Sequence, residues 1–278
     1  MFAATADLYY EHWGEFFHLA IFDEGDDPTD FGGAFQRTHE WYFEAIRGPD
    51  AKRILELASG GGAFSAWMAE RTRGEVVGVD ISPVQLARAR KRNKRRNLRF
   101  IEHDIMRITD LDEPPFDAAV FMDAACYLPD KHVALRGIAT RLCKGARFLL
   151  IDWCRPARVT ALQEEMLLAP FCRYWCIPRM QSVDSYRKAF KSAGFRLIEI
   201  KDLTRRVAPN WERGYDLAIR AVTDGMTVKR FLNAIRKAAR HGPQAVQLAK
   251  EQFYAALFAK AGCDAGLLRY IYFVAERL

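Results

Sequence analysis

A chain of 278 residues, half of them hydrophobic, is long enough for one large domain or for a core with an appended lid. No run of about 18 uncharged apolar residues occurs, so no membrane span is expected, and Asp7, Glu11 and Glu15 argue against a signal or transit peptide. The formal net charge of +7 is local: Arg88, Arg90, Lys91, Arg92, Lys94, Arg95, Arg96 and Arg99 supply it, and without them the chain would be close to neutral. The six cysteines stand singly apart from Cys172 and Cys176, which lack the second pair of a zinc site, so no metal is expected. Buried thiols in a reducing cytoplasm are the expectation.

Residues 1–49 are dense in aromatic side chains, among them Tyr9, Tyr10, Trp13, Phe16, Phe17, Trp41, Tyr42 and Phe43. Gly25-Asp26-Asp27-Pro28 marks a turn, Asp30 to Ile46 has a helical pattern, and Gly48-Pro49 ends it. A segment this apolar is expected to fold back as a lid over a pocket.

Arg53 to Leu57 then reads as a strand covered on both faces. Gly60, Gly61 and Gly62 form a turn where backbone can approach a ligand closely, and Phe64, Trp67 and Met68 open a helix expected to reach Arg73. A second strand, Glu75 to Val79, ends in Asp80. Strand, glycine turn, helix, strand and acid make the nucleoside-binding half of a doubly wound sheet. Glu56 at the end of the first strand would repel a pyrophosphate and would suit a cofactor with a positive amino-acid end.

Further along, Ser82-Pro83 starts a helix expected to reach Arg95, with the basic run at its end. That run reads either as a solvated helix terminus or as a phosphate-binding patch; the absence of interleaved aromatics favours the former. Leu98–Glu102 and Phe116–Phe121 are the third and fourth strands. Asp130 to Cys143 is a helix closed by Lys144-Gly145, and Arg147–Ile151 is the fifth strand. Residues 155–183 form an aromatic-rich insertion. A helix from Ser182 to Ala193, a strand from Phe195 to Lys201, a largely helical stretch over 205–263 and an apolar strand from Leu267 to Val274 complete the chain. The expected fold is α/β, a doubly wound, mostly parallel seven-stranded sheet of Rossmann-like type with helical lid segments.

These motifs resemble a known family. Glu56 to Gly62 is similar to motif I, acid-x-Gly-x-Gly-x-Gly, of class I S-adenosylmethionine-dependent methyltransferases, with Ala58 where the first glycine usually stands. Trp13-Gly14-Glu15-Phe16-Phe17-His18, Met122-Asp123-Ala124-Ala125-Cys126-Tyr127-Leu128-Pro129-Asp130-Lys131, Asp152-Trp153-Cys154, Trp175-Cys176-Ile177-Pro178 and Val207 to Trp211 resemble the γ-tocopherol and sterol C-methyltransferase-like branch. The resemblance spans about residues 9–275. In it, Asp123 replaces the usual Glu, and Cys126-Tyr127 replaces the usual Glu-His.

The resemblance implies S-adenosylmethionine as cofactor. Glu56, Ala58, Ser59, Gly60 and Gly62 would cradle its amino-acid end. Asp80 and Ile81 would meet the ribose, Asp104 and Ile105 the adenine, and Asp123 and Ala124 the sulfonium side, with Gln85 also among the cofactor-binding residues. Tyr127 and His18 are the candidates for proton handling, with Glu164 and Glu165 as weaker ones. Tyr10, Trp13, Phe17, Phe171 and Trp175 would surround a hydrophobic acceptor: isoprenoid, sterol-like, phenolic or alkaloid. Arg173, Arg179, Arg205 and Arg206 would be anchors if that acceptor were a diphosphate. The implied organisation is an N-terminal lid (1–49), a cofactor-binding core (50–154, 182–203 and 264–278) and two cap insertions (155–181 and 204–263). The implied activity is C- or N-methylation in secondary metabolism. The competing readings are an RNA methyltransferase using the 88–99 run and a ligand-binding homologue without catalysis. No nucleic-acid partner is expected, and a homo-oligomer is compatible with the pattern.

Overall fold

The computed structural model describes residue 10 and residues 13–278. Asp7, Tyr9 and Glu11, read above with the N-terminal segment, lie outside the described residues. The helix α1 (Phe31–Ala45) is capped by Asp30, whose carboxylate accepts from Gly33 N at 2.9 Å. There follow β1 (Arg53–Leu57), α2 (Ala63–Ala69), β2 (Glu75–Asp80), α3 (Pro83–Arg92) and β3 (Leu98–Glu102). Both α2 and α3 stop short of the expected ends at Arg73 and Arg95. In α3 the reason is Asn93, which turns extended and lays its side-chain amide on Ala89 O.

The next elements are β4 (Phe116–Met122), a 3-10 turn (Ala125–Tyr127), α4 (Lys131–Thr140) and β5 (Leu142–Arg155). Here the expected order of helix, Lys144-Gly145 stop and short strand is corrected. β5 already begins at Leu142, opposite Phe116, and the register jumps so that Arg147 faces Ala118. Lys144-Gly145 is therefore an irregularity within a strand, with Gly145 at φ +80, rather than a helix stop. Beyond β5 come α5 (Ala161–Gln163), a π-helical turn (Glu164–Leu168), α6 (Ala169–Tyr174), β6 (Gln181–Ser182), α7 (Val183–Ser192) and β7 (Phe195–Asp202). Three long helices, α8 (Ala208–Thr223), α9 (Gly225–Ala238) and α10 (Pro243–Asp264), precede β8 (Arg269–Arg277).

The sheet runs β3-β2-β1-β4-β5-β8-β7, with the two-residue β6 paired beside β5 as an eighth strand. β8 is antiparallel to both its neighbours, and the other pairings are parallel. Alternate residues of each central strand feed two cores. Ile54, Ala118, Leu149 and Tyr272 pack with α1 and α2, through Tyr42, Phe64 and Trp67. Leu55, Leu57, Phe121 and Phe148 pack with α4 and α7, through Leu135, Ile138 and Phe190.

The basic run is tied into this scaffold. Arg88 stacks on Tyr10, Arg90 donates to Phe100 O at 2.8 Å, and Arg92 pairs with Glu15 at 2.7 Å. Arg95 pairs with Glu70, and Arg99 bridges Glu75 at 2.6 Å and Glu113 at 3.0 Å. Five of the eight cations of the run thus make contacts within the fold, at the end of a helix and on the strand that follows it.

The turn after β1 holds three left-handed residues, Ala58, Gly60 and Gly62. Gly62 (φ +74) has no room for a Cβ, which would stand 2.4 Å from the Phe100 ring. Ala58 adopts φ 55 despite its methyl group, a conformation that disfavours L-residues by about 1–2 kcal/mol. Ala58→Gly is expected to raise unfolding stability by about 0.5–1 kcal/mol, after the entropy that glycine loses on folding. Urea unfolding of the two proteins checks this.

Candidate functional site

At the carboxyl ends of the parallel strands lies a continuous cavity of about 640 Å³. One half is formed by the ends of β1, β2 and β3. Asp80 organises it: one carboxylate oxygen accepts from Gly60 N and the other from Ser82 N, both at 2.8 Å. The glycine turn is thus pinned to the β2–α3 loop. Glu56, at the base of the turn, is buried and accepts a hydrogen bond from Ser65 Oγ. Burial, reinforced by the charge of Asp80, pushes the Glu56 carboxyl up to about 8. Asp80 is likewise shifted upward by burial, opposed by its backbone donors. Asp104 accepts from Met106 N at 2.8 Å and so caps the 3-10 turn (Ile105–Asp110) that walls the far end.

Between the halves lies the loop after β4. Asp123 sits at φ 53 and accepts from Tyr270 O–H at 2.7 Å. Burial pushes its carboxyl up to about 8. The loop is held from beneath. Lys131 Nζ donates to Cys126 O (3.1 Å), Leu128 O (2.8 Å) and Arg179 O (3.2 Å). Asp152, wholly buried, accepts from Cys126 N at 3.0 Å and from Tyr186 O–H. Tyr127 is presented to the cavity by this turn.

The other half is an aromatic chamber. Trp153 comes from β5, Phe171 and Trp175 from α6 and the residue after it, Trp211 from α8, and Phe231 and Phe253 from α9 and α10. Ring centroids lie 4.8 Å apart for Trp153–Trp211, 6.2 Å for Trp175–Trp211 and 6.4 Å for Trp13–Trp211. The chamber is closed by a clasp: Asn210 donates to Ala20 O at 2.7 Å and accepts from Ala20 N at 3.0 Å. Phe22 N donates to Arg206 O beside it, at 2.9 Å.

Of the residues singled out from the sequence, Glu56, Ala58, Ser59, Gly60, Asp80, Ile81, Gln85, Asp104, Ile105, Asp123 and Ala124 face this cavity, as do Tyr127, His18, Trp13, Phe17, Phe171 and Trp175. Gly62 does not; it packs beneath the turn against Phe100. Tyr10 does not line the chamber where an acceptor was expected. Its hydroxyl donates to Gln85 at 2.9 Å and lies against Gly61, at the opposite half. Glu164 pairs with Arg155 at 2.9 Å outside the cavity, and Glu165, Arg173, Arg179, Arg205 and Arg206 do not line it either. Trp153, Trp211, Phe231, Phe253 and Tyr270 went unassigned. Trp211, Gly214, Ala218 and Ala221 share one face of α8, a spacing that marks an inward stripe.

The family comparison agrees with this architecture. Residues 34–200, more than half of the chain, match the family described as a methyltransferase domain. The chain belongs to that family. This methyltransferase domain is 24% identical over 228 residues to the tocopherol O-methyltransferase, chloroplastic, of Arabidopsis thaliana, covering 74% of this chain and 65% of that protein. It is 27% identical over 206 residues to a sterol 24-C-methyltransferase of Saccharomyces cerevisiae, covering 72% and 52%. The chain spans about half to two thirds of the length of the curated relatives it matches. Among solved structures, the geranyl diphosphate C-methyltransferase of Streptomyces coelicolor superposes with a TM-score of 0.67 at 16% identity, over 99% of this chain and 98% of that one.

His18, under the N-terminal segment of this methyltransferase domain, meets His39 with the two Nε2 atoms 2.8 Å apart, amid Phe16, Phe35 and Phe64. Burial lowers His18 to about 3 and His39 to about 2, the latter helped by the charges of His18 and Arg71. Both imidazoles are neutral in the folded protein at neutral pH. Their stabilising contribution is therefore full above the unfolded value near 6.5 and is lost progressively as pH falls from there toward 3. The double variant His18→Phe/His39→Phe is expected to lose less stability between pH 7 and pH 5 than the parent. The change in urea midpoint between those pH values measures it.

Proposed function

We propose that this chain is an S-adenosylmethionine-dependent methyltransferase acting on a hydrophobic small molecule, with carbon or nitrogen as the receiving atom. The observation that carries the reading is the single cavity that joins an acid-lined strand-end cradle to a tryptophan-lined chamber across the Asp123–Tyr127 loop. The tocopherol and sterol methyltransferase relatives support it. Residues 50–154, 182–203 and 264–278 act as the nucleoside-binding core, with 1–49, 155–181 and 204–263 as covers. The setting is natural-product biosynthesis in the cytoplasm, a compartment that suits six free cysteines. Among the described residues, no helix is long and apolar enough to cross a membrane.

The residues present fit the donor. Glu56 would face its ammonium group, Asp80 the ribose hydroxyls, and Asp104 with the backbone of Ile105 the adenine edge. The donor supplies an activated methyl group on a sulfonium. The protein's own task is then alignment and exclusion of water. The loop after β4 holds Asp123 and Tyr127 at the junction of the halves, and the aromatic chamber orients the acceptor. Proton acceptance falls to Asp123, which faces the cavity at the junction of the halves, rather than to His18, which is engaged with His39. With burial pushing the Asp123 carboxyl up to about 8, its capacity to accept a proton should grow as pH rises toward that value.

Two measurements test the cofactor assignment. Asp80→Ala is expected to weaken S-adenosylmethionine binding about tenfold or more, because it removes a charged acceptor and the pin on Gly60 and Ser82 together. Asp80→Asn should weaken it less, and calorimetry that finds both unchanged removes the ribose role. The free Glu56 carboxyl is protonated below about 8. A cation bound beside it favours the carboxylate, so binding should release a proton and tighten as pH rises from about 6 toward 8. Calorimetry in buffers of differing ionisation enthalpy reads that proton, and Glu56→Gln should abolish its release.

A further inference from the structure

The lining of the cavity carries carboxylates but no lysine or arginine among the described residues. Glu15, Glu56, Asp80, Asp104 and Asp123 face it. The residues outside the described set, 1–9 and 11–12, contain neither lysine nor arginine in sequence. Arg213 stacks over Phe31 at 4.6 Å and over the cavity-lining Trp13 at 5.6 Å without itself lining the cavity, and Lys131 is held beneath the loop after β4 by three carbonyls. Four of the six tryptophans of the chain, Trp13, Trp153, Trp175 and Trp211, do line it. Tryptophan faces attract cations, by up to about 2 kcal/mol when desolvated. A buried anion, by contrast, needs a paired cation or several donors.

We infer that the acceptor chamber takes an apolar molecule with no phosphate or carboxylate, whose receiving atom becomes positively charged: an amine nitrogen or an alkene carbon. This deepens the methyltransferase reading and rests on it. In the step, the electron pair of the acceptor forms the new bond to the methyl carbon, and the sulfur–methyl bond breaks with its pair left on sulfur. The positive charge thereby passes from sulfur to the acceptor, between the Asp123 carboxyl and the tryptophan faces. A proton then leaves the methylated nitrogen or the carbon next to the cation, to Asp123 or to water. A diphosphate would instead meet carboxylates and rings.

The test uses one apolar chain with three heads: geranylamine, geraniol and geranyl diphosphate, the last with and without Mg2+. Binding to the full chain, saturated with S-adenosylhomocysteine, is followed by quenching of tryptophan fluorescence. The amine is expected to bind at least about tenfold more tightly than the diphosphate and no more weakly than the alcohol. Phe231→Arg, at a half-buried edge of the chamber, should shrink the gap between amine and diphosphate several-fold. The inference falls if the diphosphate binds as tightly as the amine, if the alcohol exceeds the amine tenfold, or if none of the three quenches. Binding of S-adenosylhomocysteine is measured first by calorimetry. Its absence would overturn the methyltransferase reading itself, whereas tight nucleoside binding with diphosphate preference overturns only the assignment of the acceptor.

Discussion

Two backbone amides converge on one carboxylate, and the cradle depends on them. Asp80 takes Gly60 N on one oxygen and Ser82 N on the other, so the turns leaving β1 and β2 are held as one unit. Each turn alone is a loop with a glycine or a helix cap. Joined, they shape the concave end of the sheet and set Glu56 at its base. Each of these carboxylate oxygens has a further lone pair, so the pin and a ligand hydroxyl do not compete for the same site. The neighbouring strain at Ala58 is tolerated because the surrounding contacts over-determine the turn.

The same economy of acids governs the middle of the cavity. Asp123, just past the end of β4, and Asp152, on the neighbouring β5, are both shifted upward by burial, Asp152 to about 6. Their partners differ. Asp152 faces inward to Tyr186 and the Cys126 amide, and Lys131 stands near enough to oppose its shift. It is spent on holding the loop. Asp123 faces the cavity with Tyr270 as its hydroxyl donor. One carboxyl is thus structural and its neighbour is free to meet a ligand.

The order of strands and helices was legible in the sequence because glycine, proline and Ser/Asp caps punctuate runs of differing period. The cradle was legible too, since β1, its turn and the acid of β2 are local in sequence. What escaped was set by distance. Tyr270 reaches Asp123 from β8, and no local pattern links two side chains so far apart. His39 gave no sign of pairing with His18, since both sit among aromatics that read as ordinary core. Lys144-Gly145 imitated a helix stop because glycine serves a strand irregularity as readily as a cap. Tyr10 was drawn toward the acceptor by its aromatic neighbours, whereas its hydroxyl found Gln85.

The clasp at Asn210 has a consequence for traffic. One amide side chain grips both the N–H and the C=O of Ala20, and Phe22 N is fastened to Arg206 O two residues along. A strap fastened so closely to α8 cannot peel away while α8 stays still. Any opening at the strap therefore carries α8 with it, while at the rear of the chamber the Trp175 ring nitrogen tethers Ala255 O of α10. That rear contact is more than one hydrogen bond, because Tyr174 beside it stacks on Tyr254 and Phe258 of α10 at 5.3 and 5.6 Å, so front and rear of the chamber are each fastened by side chains distant in sequence.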